Sequence, residues 1–201
     1  MTTILHIASS SNLHNSVSRE IGTAAVEGLK KANAGAKVVM RDLVQNPVRH
    51  IAPAFVDVLY TKPDAPELAL SRTLVAEILA SDIIVLEAPM YNFNIQSVLK
   101  AWIDHIVRAG LTFTYSASGV EGLLKGKKVI LVLGRGGMYT EGPMKVMDYQ
   151  EIYLRAVLGF VGITDIDTVL IEGVGMGVEK REEALASAKK KIASITTKKA
   201  A

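Results

Sequence analysis

The chain has 201 residues, 49% of them hydrophobic and 21% charged, with a formal net charge of +3 and no cysteine. That balance excludes intrinsic disorder, and the missing thiols exclude a disulfide scaffold, a thiolate metal site and a catalytic cysteine. The longest aliphatic runs, residues 83–86 and 129–133, fall far short of the ~20 residues a bilayer crossing needs, so no membrane segment is expected. The first residues enter an apolar alternation with no basic leader, which reads as a cytoplasmic protein without a signal peptide.

In chain order, short apolar strands alternate with helical patterns. A first strand over residues 4–8 leads through a serine- and asparagine-rich loop to a helix capped by Ser16, whose Val17, Ile21, Ala24 and Ala25 share one face. A second strand covers 38–42. Residues 45–66 then hold four of the six prolines around an apolar island, 55–60, and read as a long loop carrying a short helix, its island either serving a lid or interaction surface or packing on its own core. Leu70, Leu74 and Ile78 form a helical row before a third strand at 82–87. The next helix carries two adjacent rows, Val98-Trp102-Ile106 and Leu99-Ile103-Val107, a wide apolar stripe. The fourth strand, 128–133, shows no in–out alternation, as expected of a strand covered on both faces. A helix over roughly 144–161, a fifth strand at 165–171 and a helix over roughly 178–194 complete the chain. Lys189, Lys190, Lys191, Lys198 and Lys199 fall in the final stretch. No aromatic residues interleave with them, so they read as a solvated helix end complementing its dipole rather than a nucleic-acid patch.

Five strands alternating with helices predict an α/β fold, a doubly wound five-stranded parallel sheet of order 2-1-3-4-5 in one domain spanning 1–201. Ligands of such sheets bind beyond the carboxyl ends of the strands, which directs attention to three loops. The loop after the first strand ends at a capped helix N-terminus, a natural phosphate site, but lacks the triphosphate P-loop pattern. The loop after the third strand, Met90-Tyr91-Asn92-Phe93-Asn94, offers aromatics and amides suited to a flat ring with a polar rim. The loop after the fourth, Gly134-Arg135-Gly136-Gly137, permits close backbone approach. The Gly173–Gly177 segment looks like a dinucleotide turn but has the wrong spacing and reads as a plain loop. His6, His14, His50 and His105 share no metal spacing, and Glu87 at a strand end reads as structural.

Together, Met90-Tyr91-Asn92-Phe93-Asn94 after Ala-Pro, Gly134-Arg135-Gly136-Gly137, Ser16-x-Ser18 and Leu158-Gly159-Phe160-Val161-Gly162 resemble the FMN-dependent NADH:quinone oxidoreductase/azoreductase family, the flavodoxin-like azoreductases of bacteria. The resemblance runs over nearly the whole chain. It implies a flavodoxin-like FMN-binding domain, with the FMN phosphate on Ser10, Ser16, Val17 and Ser18. It further implies that Met90, Tyr91, Asn92, Phe93 and Asn94 border the ring system, and that Gly134, Arg135, Gly136 and Gly137 border its pyrimidine edge. Glycine stands at 134 where the family's Ser-Arg-Gly-Gly segment begins with serine. A homodimer whose partner completes the substrate pocket is implied, with Tyr115 and Phe160 at that pocket. NADH or NADPH would serve as transient donor for two-electron reduction of quinones and azo compounds. No side chain is assigned a catalytic role, since hydride chemistry belongs to flavin N5, and no metal is expected. Two other readings share the fold or the first loop: a one-electron carrier, which is typically acidic, and a non-redox phosphate-binding module.

Overall fold

The computed structural model describes residues 1–117 and 119–197, which leaves Lys198 and Lys199 outside the described residues. Among the described residues seven strands occur: β1 (Thr3–Ala8), β2 (Lys37–Asp42), β3 (Ile83–Pro89), β4 (Phe113–Ser116), β5 (Gly119–Gly122), β6 (Lys128–Gly134) and β7 (Asp165–Ile171). Five of them form one parallel sheet in the order β2-β1-β3-β6-β7, the predicted doubly wound arrangement. The α-helices are α1 (Val17–Ala32), α2 (Pro53–Val58), α3 (Ala69–Ala80), α4 (Ser97–Ile106), α5 (Gln150–Phe160) and α6 (Val178–Thr196). Among the described residues no helix is long and apolar enough to cross a membrane.

The uninterrupted apolar stretch of β6 divides its side chains between two cores. Ile130 and Val132 join Ile4, Val85 and Ile171 beneath α1 and α6. Val129, Leu131 and Leu133 join Leu5, Ile84 and Leu86 beneath α3, α4 and α5. Burial on both faces is why the strand carries no polar alternation. The broad stripe of α4 is likewise internal, with Leu99, Trp102 and Ile106 at most 1% exposed. It is core rather than surface, and Val107 falls just past the helix as its C-cap.

The structure departs from expectation at two elements and meets it at a third. The helix read over 144–161 is two pieces, a 3-10 turn at Pro143–Met147 and then α5. The break comes where the Asp148 carboxylate accepts from the Gln150 and Glu151 N–H groups, 3.2 Å each, starting a new helix. An antiparallel hairpin, β4–β5, was not anticipated. It packs on the end of α5 through glycines: a Cβ on Gly122 would sit 2.1 Å from the Gly162 nitrogen. Within the proline-rich segment, α2 forms and Phe55 is buried against the His105 ring, centroids 5.1 Å apart, whereas Val56 and Tyr60 remain exposed.

Gly22 shows how closely α1 lies on the sheet. A Cβ there would fall 2.1 Å from Glu87 Oε1. Alanine normally gains about 1 kcal/mol over glycine inside a helix, but overpacking costs about 1–3 kcal/mol. Gly22→Ala is therefore expected to lower stability, read as an earlier denaturant midpoint at unchanged m-value; a later midpoint would contradict the close packing.

Candidate functional site

The carboxyl ends of β1, β3 and β6 bring the three predicted loops side by side. After β1, Ser16 caps α1 with φ −82° and its hydroxyl accepts from Arg19 N–H at 3.3 Å. Ser16 Oγ and Ser18 Oγ lie 3.0 Å apart, and among the described residues the Val17 and Ser18 N–H groups meet no acceptor. Two free N–H groups at the positive end of a sixteen-residue helix, beside two hydroxyls, form an oxyanion cradle. Ser10 is buried, and its hydroxyl accepts from Asn12 N–H.

Sequence reading missed what holds this loop. Arg19 donates through Nε and Nη2 to the Ser10 carbonyl, 3.1 and 2.8 Å, and through Nη1 to Asp42 Oδ2, 2.7 Å. Burial by itself raises the Asp42 carboxyl, but hydrogen bonds from Arg19, Gln45 and Val44 outweigh it and hold the group well below the usual carboxylate range. The signal was an arginine one turn into a helix and an aspartate ending the adjacent strand. Beneath them Glu87 hydrogen-bonds His6 and is 1% exposed. Burial pushes its carboxyl up, and the His6 bond offsets only part of that.

After β3 the backbone reverses at once. Tyr91 N–H donates to Asn94 O at 2.9 Å and Asn94 N–H returns the bond at 3.1 Å. Between them Asn92 and Phe93 both have positive φ, 49° and 71°. Asparagine tolerates that region, whereas a phenylalanine there is strained by about 1–3 kcal/mol and persists only where its surroundings fix it. Tyr149 N–H holds the Phe93 carbonyl at 3.2 Å, and the Phe93 ring meets Tyr139 edge-on, centroids 6.3 Å apart. The result pushes the Tyr91 and Phe93 rings outward, 39% and 36% exposed. Tyr91 Oη also accepts from Ser11 N–H at 3.3 Å, joining the first loop to the second. Met90 N–H donates to Gly134 O at 2.7 Å, joining the second to the third.

The third loop differs from its sequence reading in two ways. Arg135 does not extend into the site. Its guanidinium is fully buried, donating to Gln150 Oε1 at 2.9 Å, Asp148 at 2.9 Å and Glu172 at 3.0 Å. Gln150 in turn donates to the Ala88 carbonyl at 2.7 Å. The Gly173–Gly177 segment, expected to be a plain loop, braces the third loop. The N–H groups of Gly173, Val174 and Gly175 donate to the carbonyls of Gly137, Arg135 and Gly136, at 3.0, 3.2 and 2.9 Å. A trans peptide carries its N–H opposite its C=O, so with these carbonyls turned toward β7 the Gly136 and Gly137 N–H groups face the other way. Neither meets an acceptor among the described residues. A Cβ at Gly134 would lie 3.1 Å from Val17 Cγ2 at the start of α1, so a side chain there would need Val17 to shift by a few tenths of an ångström.

Tyr115 and Phe160 do not join these loops. Phe160 packs on Phe113 with ring centroids 4.7 Å apart, and Phe113 on Tyr115 at 5.4 Å, an aromatic cluster between the hairpin and the far end of α5.

The family model for the flavodoxin-like fold matches residues 2–195. An FMN-dependent NADH:quinone oxidoreductase of Francisella philomiragia subsp. philomiragia is 45% identical over 196 residues, 98% of this chain and 100% of that protein. One of the same description from Herminiimonas arsenicoxydans is 47% identical over 192 residues, covering 92% and 94% of the two chains. The crystal structure of an azoreductase from Bacillus anthracis str. Sterne superposes with a TM-score of 0.90 at 28% identity, over 98% of this chain and 99% of that one.

Because Asp42 is held below its ordinary range, its contribution is complete above the unfolded carboxylate value and is lost as pH falls through the folded one. Asp42→Asn is expected to cost roughly 1.5–3 kcal/mol near pH 7. Paired unfolding curves should then converge below about pH 4; a gap independent of pH would remove the ion pair from the account.

Proposed function

We propose that this chain, which belongs to the flavodoxin-like family of FMN-dependent NADH:quinone oxidoreductases and azoreductases, reduces quinones and azo compounds by two electrons at the expense of a nicotinamide donor. NADH is the donor in the names of its relatives. The observation that carries the reading is the paired set of unused N–H groups: Val17 and Ser18 at one end of the site, Gly136 and Gly137 at the other, with the Tyr91–Asn94 turn between them. That set fits FMN. An oxyanion cradle suits its single phosphate, an outward aromatic turn borders a flat ring, and N–H donors suit a carbonyl edge.

FMN, when bound, supplies the redox chemistry by accepting a hydride and passing two electrons on. The chain's own residues bind and orient it. Ser16, Val17 and Ser18 hold the phosphate, with Ser10 closing the loop beneath it. Met90, Tyr91, Asn92, Phe93 and Asn94 border the ring. The Gly136 and Gly137 N–H groups would face a carbonyl edge of the ring, and such preorganised donors act most strongly where water is excluded. Gly134 and Arg135 shape that loop, Arg135 from behind through its guanidinium. We assign no side chain the role of general acid or base, and proton delivery falls to water.

The acceptor pocket requires a second copy. The start of α5 lies at the cofactor edge, through Gln150 to Ala88 and Tyr149 to Phe93. Phe160 closes the same eleven-residue helix, roughly 15 Å away at 1.5 Å per residue. A chain therefore holds its Tyr115–Phe113–Phe160 cluster away from its own site and can present it to a partner's. Val146, Tyr149 and Ile152, 74%, 52% and 67% exposed, supply apolar surface for a closed two-fold dimer. The nine-tenths and more of the chain that matches its relatives is read as one FMN-binding domain in an intracellular enzyme.

The protein is expected to purify with FMN at about one per chain, and Ser16→Ala to weaken that binding by roughly 1.5–3 kcal/mol, the range for a hydrogen bond to a charged group. FAD as the released flavin would overturn the assignment. One site serving donor and acceptor in turn predicts parallel double-reciprocal lines, and intersecting lines would require a second binding surface. Phe160→Ala should change acceptor selectivity at unchanged FMN content, and the double change Val146→Glu with Ile152→Glu should yield monomers in light scattering that retain FMN but lose acceptor reduction.

A further inference from the structure

We infer that Arg108, Arg72 and Tyr60 form a second oxyanion site, apart from the cofactor loops, that takes a carboxylate or phosphate group. Arg108 lies just past the end of α4 and is only 5% exposed. Its guanidinium makes one hydrogen bond, from Nη1 to Ser71 Oγ at 2.6 Å, and stacks over the Phe55 ring at 5.7 Å. The Ser71 hydroxyl is itself donated to the His105 carbonyl, so it relieves no charge. Among the described residues no carboxylate lies within 4 Å of Arg108, and its remaining N–H groups meet no acceptor. Its two unbonded nitrogens, Nε and Nη2, are not sealed from solvent, unlike the orphaned Trp102 Nε1 and His105 Nδ1.

The contrast within the same chain is informative. Arg135, also buried, engages Asp148, Glu172 and Gln150, and Arg19 engages Asp42. A buried cation without an anion is costly, and here a second cation adds to the cost. Arg72 gives Nη1 to the carbonyls of Pro63 and Ala65, 2.9 Å each, and has no carboxylate partner among the described residues. Burial lowers the Arg108 pKa and Arg72 lowers it further, while Tyr60, a phenol 79% exposed at the end of α2, is the one group that favours its charge. Arg108 thus keeps free N–H donors over an aromatic floor with no carboxylate within 4 Å among the described residues, and Arg72 and Tyr60 lie close enough to act on its charge. An oxyanion completes this set, since a guanidinium fork matches carboxylate and phosphate oxygens. The exposed Tyr60 ring offers a surface for the ring of an aryl carboxylate.

The test is calorimetric titration of the FMN-saturated protein, so that the phosphate cradle at α1 is filled, with inorganic phosphate and separately with benzoate at constant ionic strength. Saturable binding of at least one probe at one site per chain is expected. Arg72→Gln should weaken it at least about fivefold and Arg108→Lys about tenfold, because lysine lacks the planar fork; Lys62→Gln, an exposed cation in the same segment, should leave it within about twofold. Phosphate without benzoate assigns the site to small inorganic anions, and benzoate without phosphate to aryl acids. Absence of saturable binding for both probes, or wild-type affinity in Arg72→Gln, overturns the inference. Should Arg108→Lys fail to fold, Arg72→Gln and Tyr60→Phe carry the decision. The site is independent of the redox reading, as FMN content and quinone reduction by Arg72→Gln report on the latter alone.

Discussion

The buried guanidinium of Arg135 is the interaction on which the carboxyl edge of the sheet depends. From the loop after β6 it reaches the start of α5 through Asp148 and Gln150, the end of β7 through Glu172, and by way of Gln150 the carbonyl of Ala88 at the end of β3. Glu172 extends the network by accepting from Tyr139 N–H and Thr140 Oγ1. Truncating a partner in such a buried network typically costs about 3–5 kcal/mol, because the groups left behind keep their charge without compensation. The same cation therefore fixes four chain segments at once, and the loops after β3 and β6 inherit their spacing from it.

Around that anchor the site is made largely of backbone. Val17, Ser18, Gly136 and Gly137 contribute N–H groups rather than side chains, and each pair is aimed by a different device. At α1 the helix end leaves its first donors unpaired and the Ser16 hydroxyl satisfies only the next one. At the third loop the three N–H groups that follow β7 occupy the opposing carbonyls and so turn the peptides outward. Backbone donors held this way need no reorganisation when charge appears, the condition under which electrostatic stabilisation is strongest. Strain at Phe93 serves the same arrangement: a left-handed phenylalanine persists because Tyr149 and Tyr139 hold it, and it turns an aromatic ring outward.

The parallel sheet was legible because its causes are local. Each strand announced itself by an aliphatic run, each helix by its period, and Ser16 by its place before Val17. The Met90–Asn94 and Gly134–Gly137 motifs marked two of the three loops for the same reason, being contiguous in the chain. The β4–β5 hairpin escaped notice since Phe113–Ser116 is short and its partner begins with glycine, so pairing rather than propensity makes it. The interior position of Arg135 was also invisible, because a charged residue in a glycine loop reads as exposed until the carboxylates of Asp148 and Glu172, distant in sequence, are brought to it.

The sequence by itself determined the order of elements, the two-sided burial of the sheet, the capped helix at Ser16 and the gathering of the three loops at the carboxyl edge. Only the tertiary structure decided which groups in those loops face the site. It turned the Arg135 side chain inward and the Gly136 and Gly137 N–H groups outward, set the Gly173–Gly177 segment as a brace, and held Tyr115 and Phe160 far from their own cofactor loops. The physical reason is the range of the interactions. Periodicity, capping and chain reversal act over a few residues and are written in neighbouring letters, whereas the direction of a peptide or a guanidinium is set by partners that only the packed sheet brings within hydrogen-bond reach.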